Sequence, residues 1–255
     1  MTDHERTVLP LFPLGTVLFP GLVLPLRVFE QRYRALVRTL LNLPEPGQRI
    51  FGVVAIRRGW EVATVPADRQ TSGGETDGDG AEEPLLYDIG CTAEIRDVTE
   101  HPDGTYDIVT VGRQRYAIGE RVASPEPYAQ AEVAFLPEQP GPDGDADELG
   151  PRVLAAFRVY LRAFRGAAEN GPSAPNGREA AGEEQLPGDP VVLSHLVAAT
   201  ASLRLADRQA LLAAPDTATR LRDELRLLRH ETWLLTRTRA VPANLPDLPI
   251  RPGPN

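Results

Sequence analysis

The chain contains no lysine; all 27 of its basic residues other than histidine are arginines. A phosphate loop that ends in Gly-Lys is therefore excluded, and with it an ATPase of that class. A Ser-Lys catalytic pair is excluded for the same reason, and no Gly-x-Ser-x-Gly elbow appears. Cysteine is nearly absent: Cys91 stands alone, so neither an internal disulfide nor a cysteine metal cluster can form, which fits a reducing cytoplasm. Long unbroken apolar runs are lacking too. Residues 1–6 carry acids where a secretory signal is basic, and the apolar stretch 9–26 is interrupted by Pro10, Pro13, Pro20 and Pro25. Neither a signal peptide nor a membrane span is expected. The histidines are His4, His101, His195 and His230, and no two of them have metal-ligand spacing. Ser194 and His195 are adjacent on an expected helix and so point in different directions. The expectation is a chain with no metal, no cofactor and no catalytic constellation.

What is present is ordinary globular composition over 255 residues, 42% hydrophobic and 25% charged. The net charge of −9 is unevenly spread. Residues 66–84 hold six acids against Arg69, residues 137–151 hold five acids and no base, and residues 166–190 hold five acids against Arg178. The rest of the chain is left mildly basic, at +5. The overall sign disfavours non-specific binding of nucleic acid. Segment 66–84 has paired Asp-Gly steps, but it lacks the closing glutamate and flanking helices of an EF-hand, so it reads as a flexible loop.

Two hydrophobic periods divide the chain. Prolines forbid a helix before residue 27, so residues 8–12 and 22–26 read as short strands, with Pro20-Gly21 as a turn. Phe29, Tyr33, Leu36, Val37, Leu40 and Leu41 then fall on one helical face, ended by Leu43-Pro44. Strands are expected at 49–56, 60–65, 86–98, 106–111, 113–119 and 128–136, with a turn at 57–59, a hairpin turn at 101–104 and a bulge or bend at Gly112. In the third of these, 86–98, Ile89, Cys91, Ala93 and Ile95 form the apolar face, and Thr92, Glu94 and Arg96 face the other way. Cys91 is expected as packing rather than as a reactive thiol. Short strands with one helix across an open end predict a small, partly closed barrel, residues 1–136. Residues 137–151 read as a linker. Residues 152–241 read as a helical part, with a stripe from Leu149 to Phe164 and a flexible insertion at 166–190. Helices are expected at 191–203, 207–214 and 217–239, with Asp207 and Asp216 as caps. Leu221, Leu225, Leu228 and Leu235 make the seam of the long last helix, and Arg226, Arg229, Arg237 and Arg239 its wet face. Five prolines make 242–255 a loose tail. The fold class is α+β.

Several of these residues carry a family resemblance. Pro10-Leu11-Phe12-Pro13-Leu14, Phe19-Pro20-Gly21, Leu24-Pro25-Leu26, Phe29-Glu30 and Arg32-Tyr33 resemble, in order and spacing, the opening of the substrate-binding domain of Lon proteases. Gly90, Asp103-Gly104, Gly112-Arg113-Gln114-Arg115-Tyr116, Pro127-Tyr128 and Ala131-Glu132-Val133 continue the likeness. Asp207-Arg208-Gln209-Ala210-Leu211-Leu212, Asp216 and Arg220-Leu221 are similar to its helical part. The acidic insertions depart from that compact pattern. The resemblance implies a PUA-like barrel followed by a helical bundle, without the ATPase and protease of full-length Lon.

It also implies a non-catalytic module that engages unfolded or tagged protein clients, as an adaptor or holdase beside a proteolytic or chaperone machine. A groove between barrel and bundle would be lined by Phe19, Leu22, Tyr116 and Phe157, with Arg113, Arg115 and Tyr116 as a recognition patch. The alternative is an RNA-binding module that uses the PUA-like barrel and the arginine excess of the folded parts.

Overall fold

The computed structural model describes residues 7–58, 85–142, 144–169 and 186–238. The expected strand 60–65, the loop 66–84 and the tail 242–255 lie outside the described residues, as does most of the insertion 166–190.

The first half is a sheet that returns on itself. Its strands are β1 (Thr7–Leu14), β2 (Val23–Val28), β3 (Ile50–Arg58), β4 (Leu85–Leu86), β5 (Ile89–Glu100), β6 (Tyr106–Val122) and β7 (Gln130–Leu136). The pairs β1–β7, β7–β6, β6–β5 and β5–β3 are antiparallel, and a parallel β1–β3 pair completes the circuit. Strand β2 joins from outside, along the first half of β6. The barrel is irregular, because β6 pairs with β2 over its first half and with β7 over its second. Residues 106–111 and 113–119 belong to one continuous strand rather than two. The bulge falls where Thr92 of β5 opposes Arg113 and Gln114. The Thr92 hydroxyl closes it, accepting from Gln114 N at 3.0 Å and donating to Gln114 O at 3.2 Å. Gly112 beside it is required by close approach, since a Cβ there would stand 2.2 Å from the Phe19 carbonyl oxygen. Gly21 N donates to Gly112 O, and Gly112 N to Leu22 O, both at 2.8 Å. The Phe19-Pro20-Gly21 turn is thereby stitched to β6.

Helix α1 (Gln31–Leu41) buries Tyr33, Leu36, Val37 and Leu40 against the barrel end, with Tyr33 stacked on Phe12 at 4.1 Å. Phe29 lies before the helix and is 53% exposed, so it does not belong to that stripe. Residues 57 and 58 continue β3 instead of turning. Thr92 and Glu94 are buried, contrary to the alternation expected of β5, because both faces of this central strand are covered.

The second half packs α2 (Asp145–Glu169), α3 (Pro190–Thr200) and α5 (Thr217–Thr238) around Val153, Phe157, Tyr160, Leu193, Val197, Leu221 and Leu228, while α4 (Leu205–Ala213) buries Leu211 and Leu212 at the junction with the barrel. Helix α2 starts inside the stretch read as linker: the acids Asp145, Asp147 and Glu148 fill its first turn, where the helix dipole favours them. Asp189 and Pro190, read as part of the insertion, start α3: Asp189 Oδ1 accepts from Val192 N at 2.9 Å, and proline takes the first position. Asp216 caps α5 through Thr219 N at 2.7 Å. Asp207 is not a cap. It sits in the first turn of α4, after the boundary residue Arg204, and pairs with that arginine at 3.1 Å.

Candidate functional site

Two places where elements meet are candidates for a site: the junction of barrel and bundle, and a cleft beside α1. The junction is organised by Glu138, on the segment that links the halves. Its carboxylate takes Arg115 Nε of β6 at 2.5 Å on Oε1 and Arg220 Nη2 of α5 at 3.1 Å on Oε2. His195 Nε2 of α3 lies 3.4 Å from Oε1. The same arginines close the C-terminal end of α4: Arg115 Nη1 donates to Leu212 O at 2.9 Å and Ala214 O at 2.7 Å, and Arg220 Nε to Leu211 O at 3.1 Å. Orphan carbonyls at a helix C-terminus favour cations, so the cluster satisfies α4 as well as Glu138. Arg220 Nη1 also reaches Ser194 Oγ at 3.0 Å and His195 Nε2 at 3.4 Å. These adjacent residues thus converge on one guanidinium rather than on each other.

Burial alone would raise the Glu138 carboxyl. The hydrogen bond from His195 and the charges of Arg220, His195 and Arg115 outweigh it and bring the pKa down to about 2. Burial, helped by the nearby arginines and only partly offset by Glu138, lowers His195 below the usual imidazole range. Four residues along α5 from Arg220, Glu224 is just as buried, but neither carboxyl oxygen has a hydrogen-bond partner among the described residues. Burial drives its carboxyl well above the ordinary range.

Around these charges the junction is apolar and filled by Val17, Phe19, Ala55, Ala198, Leu211 and Leu212. Arg208 Nη2 donates to Val17 O at 3.3 Å, and Gln209 Nε2 to Ile89 O at 2.8 Å, so the Arg208-Gln209 step of α4 docks the helix on the barrel. The linker finishes the contact by accepting the first N–H groups of α5, from Thr217 to Gln139 O at 2.8 Å and from Ala218 to Pro140 O at 3.1 Å.

The expected liners take different places in this geometry. Phe19, Arg115, Tyr116 and Phe157 are fully buried, so their side chains are internal in this conformation. Tyr116 donates to Val53 O at 3.0 Å, with Gly52 and Gly90 making room for its ring. Phe157 packs within the bundle, away from Phe19. Leu22 is half-buried and leans on both the barrel core and the junction. Arg113 is the exposed member, held by Glu94 at 2.5 Å. Of the expected liners, Leu22 is the one that is part-exposed between barrel and bundle. Cys91 is buried, and burial raises its thiol.

The cleft beside α1 is open. It measures about 230 Å³ and is walled by Phe12, Pro13 and Leu14 of β1, by Leu26 and Val28 of β2, and by Tyr33. Phe29, Arg27 and Glu30 stand at its rim. Arg32 holds Glu30 at 2.8 Å, which leaves Arg27 as the cation on that rim without an ion pair among the described residues. Sequence reasoning missed Phe29 because it continues the i, i+4 stripe to Tyr33, although the helix starts two residues later. Glu138 was read as one more linker acid. Its signal, a lone acid between Pro137 and Pro140, is weak. Arg220 and Glu224 had a better signal, since they precede Leu228 at four-residue steps and so lie along the seam.

A barrel docked on a helical bundle through a charge-satisfied junction, with an apolar cleft beside α1, defines the class of the molecule. It is a two-part α+β fold in which no group of three His, Cys, Asp or Glu side chains is arranged to hold a metal ion among the described residues. The substrate-binding domain of ATP-dependent protease La (Lon) matches residues 8–230, and the chain belongs to that family. The chain is 30% identical over 230 residues to a Lon protease of Roseiflexus castenholzii, covering 90% of this chain and 25% of that protein. The fold is that of a Lon N-terminal domain protein from Xanthomonas campestris, with a TM-score of 0.54 at 22% identity over 86% of this chain and 98% of the other. It is also that of the N-terminal domain of the Mycobacterium avium complex Lon protease, with a TM-score of 0.55 at 18% identity over 89% and 98%. The chain spans about a quarter or less of the length of the curated Lon proteases that it matches. No helix among the described residues is long and apolar enough to cross a membrane.

Proposed function

We propose that this chain is a non-catalytic peptide- and protein-binding module, an adaptor or holdase that takes unfolded or tagged proteins in the cytoplasm and works beside a proteolytic or chaperone machine. The observation that carries the reading is the open apolar cleft with Phe29 exposed at its rim. At about 230 Å³ it is smaller than the roughly 300–1,000 Å³ of drug-sized ligand pockets, so it suits one or two client side chains rather than a cofactor. An exposed aromatic beside a preformed apolar wall is the kind of anchor that dominates protein contacts. Membership of the substrate-binding family and the absence of lysine from the chain both support recognition over turnover.

Pull-down of a chemically unfolded, fluorescently labelled client tests the reading. Retention by the wild type and its loss in Phe29→Ser are expected, with unchanged thermal unfolding. If the wild type retains no client or apolar peptide, the reading fails. A structured RNA at two salt concentrations is the counter-probe, because tight binding that falls steeply with salt would favour the nucleic-acid alternative.

A further inference from the structure

The junction leaves one buried cation over. Arg115 and Arg220 share the single carboxylate of Glu138, and His195, kept neutral by burial, adds no anion. Arg208, the third buried arginine there, is met by the Val17 and Ala199 carbonyls and the Thr16 hydroxyl rather than by an acid. Glu224 lies four residues along α5 from Arg220, so the two side chains share a face of that helix. It is fully buried, and neither of its oxygens has a hydrogen-bond partner among the described residues. The charges that act on it are Arg220 and Asp223, both on α5, and Asp223 is an exposed acid already paired with Arg226. No charge on α2, α3 or α4 is among them.

Arg220 has no donor nitrogen idle. Its Nε holds Leu211 O, its Nη1 holds Ser194 Oγ and its Nη2 holds Glu138, so one guanidinium ties α5 to the end of α4, to α3 and to the linker. Helix α4 in turn carries the bundle on the barrel through Arg208 and Gln209 and through Leu211 and Leu212. While Glu224 is protonated it makes no claim on Arg220. Once ionised it is a second carboxylate beside the same cation, and an unpaired carboxylate in an apolar setting is far costlier than a paired one.

We infer that Glu224 is a proton-controlled rival of Glu138 for Arg220, and that its ionisation draws the guanidinium along α5 and frees the C-terminal end of α4 from the bundle. The proton goes to solvent, and Arg220 stays charged throughout. The exchange balances the cluster, with Arg115 on Glu138 and Arg220 on Glu224, but it strands the Leu211 carbonyl and the Ser194 hydroxyl. Helix α4 then keeps its bonds from Arg115 and its contacts with the barrel, and loses its tie to α5. Burial holds the Glu224 carboxyl well above its ordinary value, so the tied form persists at lower pH and gives way as pH rises through the raised value. The device belongs to the junction and does not depend on the client reading proposed for the cleft.

Hydrogen exchange of the full chain at about pH 6 and about pH 9, corrected for the intrinsic pH dependence of amide exchange, tests the proposal. It is read by mass spectrometry on peptides covering α4 and α1. Expected in the wild type is a loss of α4 protection on the order of tenfold at the higher pH, with α1 unchanged. Glu224→Gln keeps the shape of the side chain but cannot ionise, and its α4 should stay protected at both values. Glu224→Leu should behave alike, which separates the lost charge from any new bond made by the amide. Equal α4 protection at both values in the wild type, or an equal fall in Glu224→Gln, would overturn the proposal. A fall shared by α1 would overturn it too, because it would mark unfolding of the whole chain.

Discussion

The junction and the cleft beside α1 are both places where separate elements meet around aromatic side chains, yet one is sealed and the other open. At the junction, Glu138, Arg115, Arg220 and the α4 carbonyls satisfy one another, and Phe19 and Leu211 fill the remaining space. At the cleft, the walls are Phe12, Leu26 and Val28, the rim residue Phe29 faces solvent, and Glu30 is already taken by Arg32. Residue type does not separate the two, since both contain phenylalanine, leucine, arginine and glutamate. Closure does. Where linker, barrel and bundle converge from several directions, polar groups find partners and water leaves. Where only β1, β2 and the start of α1 meet, Leu26 stays half-buried and Phe29 meets solvent. Substitutions at the junction should therefore move stability, and substitutions at the cleft should move binding.

The largest effect is expected from Glu138→Ala. Removing the shared carboxylate strands two buried guanidinium groups, and a loss on the order of 3 kcal/mol in urea unfolding is expected. A wild-type midpoint would show that the junction does not hold the halves together. Next is Glu224→Leu. It removes a buried carboxyl without partners, and a gain of about 1–3 kcal/mol is expected by the same measurement. Destabilisation instead would mean that Glu224 is satisfied in solution.

The two glutamates also titrate with opposite sign. Glu138 is depressed from 4.5 to about 2 in the folded chain, so its contribution is present above pH 4.5 and lost as pH falls through about 2. Glu224 is raised, so its contribution is present below 4.5 and lost as pH rises through the elevated value. Thermal melts of Glu138→Gln should lose the acid-side decline, and those of Glu224→Gln the decline toward higher pH.

At the cleft, Phe29→Ser should cost about 2 kcal/mol of client affinity, roughly thirtyfold in Kd, and shift stability by no more than about 0.5 kcal/mol. A comparable fall in melting temperature would mean that Phe29 is structural and that the contrast with the junction fails. The smallest effect is expected from Arg113→Ala. This exposed residue of the expected patch should change stability by about 1 kcal/mol or less and leave client retention unaltered.

Helix and strand types were legible wherever a period ran uninterrupted: the seam of α5, the buried face of α1 and the hairpin of β5 and β6. Boundaries were less so. The start of α2 was hidden because Gly144, Gly150 and Pro151 resemble a linker; Pro151 in fact stands at the seventh position of the helix, where it withholds one N–H from the ladder without ending it. The site was the least legible part, because an aromatic in a strand or helix reads the same whether it plugs a junction or rims a cleft.

Local composition determined the elements, the family resemblance and the lack of lysine chemistry, all of which depend on residues close together in the chain or on a plain count. Tertiary structure decided which charges are buried and which aromatics meet solvent. Arg115, Glu138, His195 and Arg220 become one cluster only when β6, the linker, α3 and α5 converge, and no local period encodes a contact between residues so far apart. Phe19 is sealed and Phe29 is open for the same reason: burial is set by what folds over a residue from elsewhere.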